Sequence, residues 1–332
     1  MMFLLAAAPG CDSSPSPSVT VVDPPASGNN GDTVLAGIRH LDKFYAMGWS
    51  PQGELIGIPG DSPVGATLEF RNLAGDKTRD TGIKGATGIQ MAPDGKYAWV
   101  YHRYEGTADI YHLETGRVIR IGPQTRELLG AWIDEESYLA VLTEPNNRLV
   151  RFGTDGEMTA VEHEDVPSGI VKAAIKDGRL YMLSGDGELT VTETGGGSAR
   201  IWSRSGVSDF AVAPGGQRIA LVTVTGPDQK TLVLADAARG GSEKPAARGR
   251  LLQQLSWSPD GSRLAFSVFS PDQGMTGLYV MNEASGRMIP VSYKPNVTSD
   301  IEWSPSGTSF AVSEFLPGET AERLFTTLYQ LK

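Results

Sequence analysis

The sequence predicts an all-β fold, a seven-bladed β-propeller of four-stranded blades, from three observations. A strand–turn–strand unit recurs along the chain, its spacing stays near 40 residues, and an unpaired strand at the start matches a vacancy at the end.

The clearest unit is Leu255-Ser256-Trp257-Ser258-Pro259-Asp260-Gly261-Ser262-Arg263-Leu264-Ala265-Phe266. Leu255 and Trp257 alternate with polar Ser256, which is strand periodicity. Proline then fixes φ, aspartate bonds nearby backbone N–H groups and glycine accepts positive φ, so a tight turn precedes the second apolar run.

Relatives of the unit carry Pro51, Pro93, Asp134, Lys176, Pro214, Pro259 and Pro305 at the marker position. By subtraction the intervals are 42, 41, 42, 38, 45 and 46 residues, a propeller-blade period. A second strand follows each turn, at 55–58, 97–101, 138–142, 180–183, 219–222, 264–268 and 310–313. Third strands such as 109–113 and 278–281 run into turns with Gly116 and Gly286, and fourth strands such as 118–121 and 288–291 complete the blades. The last copy has a third strand, 324–331, and no fourth. The orphan strand 33–38 fits that vacancy, and pairing the two closes the ring and removes an exposed edge.

Ahead of the repeats, residues 1–11 form a short apolar run ending at Cys11, the only cysteine. The run is too short to span a membrane, which takes about 20 apolar residues. An apolar stretch, small residues and then cysteine resemble the end of a bacterial lipoprotein signal, with Cys11 as the lipidated residue. Residues 12–32, rich in Ser, Pro, Gly and Asn, read as a flexible linker, and 33–332 as the propeller. Glycine is 40 of 332 residues, above the usual level of about 7%, and it sits singly between apolar runs, so it marks turns and not disorder. The net charge of −10 argues against nucleic acid, which calls for a basic stripe.

The Trp257-Ser258-Pro259-Asp260-Gly261 unit with Leu264-Ala265-Phe266, and Gly277-Leu278-Tyr279-Val280 with Gly286, resemble the repeat of TolB-type (WD-repeat-like) propellers over roughly residues 33–332. TolB carries an N-terminal α/β domain, whereas the stretch before Thr33 reads as linker. The resemblance implies an envelope-located binding platform that is seldom enzymatic.

Catalytic and metal motifs are missing from the sequence. His40, His102, His112 and His163 have no metal spacing, and no Gly-x-Ser-x-Gly elbow occurs. Gly195-Gly196-Gly197 reads as a hairpin turn and Asn296-Val297-Thr298 as a chance glycosylation match. No cofactor and no metal are expected. Trp49, Trp132, Trp257 and Trp303 occupy equivalent places and are expected to pack between blades. A binding face is expected on the loops between second and third strands and between blades, because loops on a rigid scaffold carry function. Those loops hold His102, Arg103, Tyr104, Arg126, His163, Arg204, Tyr293 and Lys294, and Asp209 and Asp300 stand before their inner strands, facing the channel.

The reading is therefore a monomeric, extracytoplasmic, lipid-tethered scaffold that recognises a protein or cell-envelope partner without catalysis. The alternative is a propeller enzyme, a lactonase or other small-molecule hydrolase, with its site at the channel mouth.

Overall fold

A computed structural model describes residues 33–60, 65–75, 77–123, 130–142, 148–161, 169–194, 200–270, 275–294, 299–316 and 323–332. Among them run 28 strands in seven antiparallel four-stranded sheets, with no helix. The sheets stand as blades in a ring around a central channel. The innermost strands, from blade one to blade seven, are Phe44–Trp49, Gly88–Met91, Ala131–Trp132, Ile170–Lys176, Val207–Val212, Leu251–Trp257 and Ile301–Trp303.

The second strands cover every segment expected from the sequence and are the most deeply buried. Ser137–Leu142 is buried at every position, which explains why it reads as a continuous apolar run instead of alternating. Such strands have a neighbouring blade on each face. Between blades two and three, for example, Trp99 stacks on Tyr138 with centroids 4.0 Å apart.

The ring closes as the sequence predicts. Leu35–Asp42 is the outermost strand of blade seven and pairs antiparallel with Arg323–Leu331, from Leu35 opposite Leu331 to Asp42 opposite Phe325. It runs past Ile38 because an outermost strand tolerates exposed polar residues such as Arg39 and His40, which hide its end from a hydrophobic pattern. Buried hydroxyls strengthen the closing seam. Thr326 Oγ1 donates to the Phe44 carbonyl (2.7 Å) and accepts from the Ala46 N–H (2.9 Å), while Ser313 Oγ donates to the Ala46 carbonyl (2.8 Å).

Two repeated contacts join the blades. The indole N–H of each repeat tryptophan donates to a backbone carbonyl on the inner strand of the preceding blade: Trp49 to Glu302, Trp132 to Gln90, Trp257 to Ala211 and Trp303 to Ser256, at 2.9–3.1 Å. The Pro-Asp-Gly turns also touch in sequence. A Cβ on Gly95 would run into the Pro51 ring, and one on Gly307 would lie 3.7 Å from Pro259 Cδ. Gly95 has φ +72°, so this turn needs glycine both for its conformation and for its neighbour.

Blade four departs from the pattern. Asp177 and Gly178 both have positive φ (49° and 69°) and form a two-residue hairpin loop between Lys176 and Arg179. Ile175 pairs with Leu180 as Trp257 pairs with Leu264, so the structural equivalent of Pro259 is Asp177, one residue after the Lys176 that the sequence pattern suggests.

Antiparallel blades give the molecule two unlike faces. The Pro-Asp-Gly turns and the third-to-fourth-strand turns share one, the turn face. The second-to-third-strand loops and the interblade connections share the other, the loop face.

Candidate functional site at the central channel and loop face

Alternation along the inner strands puts the side chains at every second position on the same face of the blade. Because Asp177 replaces Lys176 as the turn marker, Lys172 becomes the equivalent of Asp209 and Asp300: each stands one residue before a buried position (Ala173, Phe210, Ile301). Three charged residues from blades four, five and seven thus form one tier. Lys172 Nζ lies 2.8 Å from Asp209 Oδ1 and 5.3 Å from the Phe210 ring centroid.

Asp300 is open to channel water, yet the surrounding strands displace most of its hydration and raise its carboxyl above the usual range. Lys172 opposes that rise and Asp209 adds to it. Two residues on, Glu302 shares the channel-facing parity. Burial, and then the Asp300 carboxylate, push it up to about 8. Tyr45, on the inner strand of blade one, is pushed up to about 12 by burial and by the Asp300 and Glu302 carboxylates, against the pull of Arg103. Its ring meets Phe315 with centroids 4.6 Å apart.

The expected site residues therefore fall into several groups. Asp209 pairs with Lys172, both lie close enough for their charges to act on Asp300, and Arg103 stands near enough for its charge to act on Tyr45. Tyr104 and Tyr293 are 80% and 76% exposed on the loop face. Lys294 is ion-paired with Glu314 and lies over the Phe325 ring at 5.2 Å.

His102 is not on the open face. It is 6% exposed, with Nδ1 3.3 Å from the Gly85 carbonyl oxygen and Nε2 3.4 Å from Asp109 Oδ2. The carbonyl can only accept, so Nδ1 carries a hydrogen. Arg204 is tied to Glu243 and belongs to the outermost strand of its blade, far from the channel wall in strand order. Cys11, Arg126, His163, Gly195-Gly196-Gly197 and Asn296-Val297-Thr298 lie outside the described residues.

Sequence reasoning missed Lys172, Glu302, Tyr45 and Phe315. The parity of Asp300 could have found Glu302. Lys172 was hidden by the one-residue shift of the blade-four turn.

The large apolar side chains exposed among the described residues are distributed unevenly. Tyr104, Val171, Val224, Leu251, Tyr293 and Phe315 sit on loop-face loops or on the strand ends that reach them. The other three, Val118, Met158 and Ile201, lie near the starts of outermost strands. Among the described residues, no group of three or more His, Cys, Asp and Glu is placed to hold a metal ion.

No protein-family model matches the chain, and no curated protein does. Solved structures do. An oligogalacturonate lyase in complex with manganese is 12% identical with a TM-score of 0.64, over 90% of this chain and 93% of that one. The β-propeller domain of Cps50 from Myceliophteria thermophila is 13% identical with a TM-score of 0.59, over 86% and 98%. An uncharacterized protein of Listeria monocytogenes EGD-e is 13% identical with a TM-score of 0.57, over 81% and 88%. Identities this low carry the fold alone: the chain is similar in architecture to an enzyme and to other propellers alike.

Proposed function

We propose that this propeller is a non-catalytic binding platform that captures a protein or cell-envelope partner on its loop face, tethered at the membrane by a lipid on Cys11. The observation that supports it is the gathering of six exposed large apolar side chains on that face, Tyr104 and Tyr293 foremost. Contiguous apolar exposure on a folded domain marks an interaction surface, and tyrosine is enriched at the energetic centres of such surfaces. Arg103 and Lys294 supply charge beside these rings.

Crosslinking from native envelopes, with residues 33–332 as bait, tests the face. The expected result is one reproducible partner whose capture falls at least tenfold with Tyr293→Glu. Undiminished capture contradicts the reading. The tether is tested separately: Cys11→Ala should move the protein from the membrane fraction to the soluble one.

A second reading, a small-molecule hydrolase at the channel mouth, draws on Asp300 and Glu302 as a carboxyl pair two residues apart beside the Tyr45 phenol. It predicts turnover of a lactone or ester that Glu302→Gln abolishes.

A further inference from the structure

We propose that the turn-face end of the channel is a binding site for a small primary amine with a ring-shaped body, its ammonium group received by Glu302. This site lies at the opposite end of the channel from the loop face, so it stands or falls separately from the binding-platform reading, and it shares Glu302 with the hydrolase reading, from which ligand binding without turnover distinguishes it.

The tryptophan hydrogen bonds define the tier that builds it. Glu302, Gln90, Ala211 and Ser256 accept those bonds, and Gly48 and Ala131 precede Trp49 and Trp132 just as Glu302 precedes Trp303. Ala174, before Ile175, completes the tier. Five of its positions are Gly, Ala or Ser, and only Gln90 and Glu302 carry long side chains. Gly48 stands between them on blade one with no side chain at all. The space left is a cavity of about 590 Å³, walled by Trp49, Trp132, Trp303 and the turn prolines, with Gln90 and Glu302 as its long polar side chains. That volume suits a small organic ligand.

The wall chemistry selects the ligand class. The indole N–H groups of the three tryptophans are already committed to backbone carbonyls, so the walls offer ring surface and no donors. Gln90 Oε1 accepts from the Tyr138 hydroxyl at 3.0 Å, leaving its amide N–H groups to donate to an oxygen on the ligand. A hard metal ion demands six or more oxygen ligands, which one carboxyl and one amide in an aromatic wall do not provide. An ammonium group needs one carboxylate and gains from nearby aromatic faces. Lys172, the channel cation of the next tier, is engaged by Asp209 and does not neutralise Glu302. The raised Glu302 carboxyl, with Asp300 and Tyr45 as its titratable neighbours, adds a signature: the incoming cation favours the ionised form, so binding at neutral pH releases a proton.

Titration calorimetry of the purified protein with tyramine, and with 4-ethylphenol as the neutral comparator, tests the site. The expected result is tyramine binding at least tenfold tighter than 4-ethylphenol, with proton release shown by a dependence on buffer ionisation enthalpy. Glu302→Gln should erase both the preference and the proton release. Gly48→Val should block binding with Glu302 intact; a Cβ there meets only Ile56 Cγ2, at 3.5 Å, an ordinary contact, and thermal unfolding of the variant checks that the fold is kept. No tyramine binding, equal binding of the two probes, or unchanged affinity in Gly48→Val overturns the proposal.

Discussion

The indole N–H of Trp49 donates to the backbone carbonyl of Glu302 across 2.9 Å, joining the first blade to the last. The same bond is made three more times around the ring, so the tryptophan of the repeat is a clasp between blades as well as an apolar filler. Trp49→Phe removes the donor and leaves a partly buried carbonyl unpaired. We expect a loss of about 1–3 kcal/mol, read as a lower urea midpoint with an unchanged slope.

The turn glycines separate two effects that usually travel together. Gly53 has φ +81° and open space around it, so Gly53→Ala adds only left-handed strain, about 1 kcal/mol. Gly95 has φ +72° and the Pro51 ring of the preceding blade in the path of any Cβ. Gly95→Ala should cost about 2 kcal/mol more than Gly53→Ala, through overpacking at the seam. Equal losses in thermal or urea unfolding would show that the turns do not support one another.

Thr326 carries the closing seam between blades seven and one. Thr326→Val keeps the shape but deprives the Phe44 carbonyl and the Ala46 N–H of their buried partner. A loss of about 2–4 kcal/mol is expected for two buried groups left unpaired. Removing residues 33–42 takes away the whole closing strand and should shift the protein to larger species by exposing an edge, as size-exclusion chromatography would read.

Glu302 makes stability depend on pH with a definite sign. Its folded carboxyl titrates near 8 and an unfolded one near the ordinary glutamate value, so between the two the folded state holds the extra proton. Stability from this group is therefore present at low pH and falls as pH rises from about 4.5 to 8. Glu302→Gln should remove that slope and raise stability at pH 8 by about 2 kcal/mol, after allowance for channel water. Asp260 has the opposite sign. Burial works against it, but bonds from the Ser258 and Ser262 hydroxyls and the Ser262 N–H prevail and hold its carboxyl below the usual range. Its contribution is full above the ordinary aspartate value and is lost on acidification below it.

The blades were legible because each is a local unit: Trp257 to Phe266 shows its strand period, turn chemistry and second strand within a dozen residues. The orphan strand at the start was placed correctly by counting, since an unfilled fourth strand in the last blade needs a partner. The channel was harder to read, because its residues meet only across the ring. Lys172 and Asp209 are 37 positions apart, and a one-residue change in the blade-four turn moved the lysine out of apparent register. His102 illustrates the converse. It sits at a strand end beside exposed Arg103 and Tyr104, but Asp109 of the facing strand turns it into a buried pair.

The most direct test of the account compares the two kinds of exposed apolar side chain in one crosslinking capture from native envelopes. Tyr104→Glu and Tyr293→Glu alter the loop face, while Val118→Glu and Met158→Glu alter outermost strands and serve as exposed apolar controls. A binding platform on the loop face predicts that the first pair loses the partner and the second pair retains it. Loss in both pairs, or in neither, would contradict the assignment of the loop face as the binding surface.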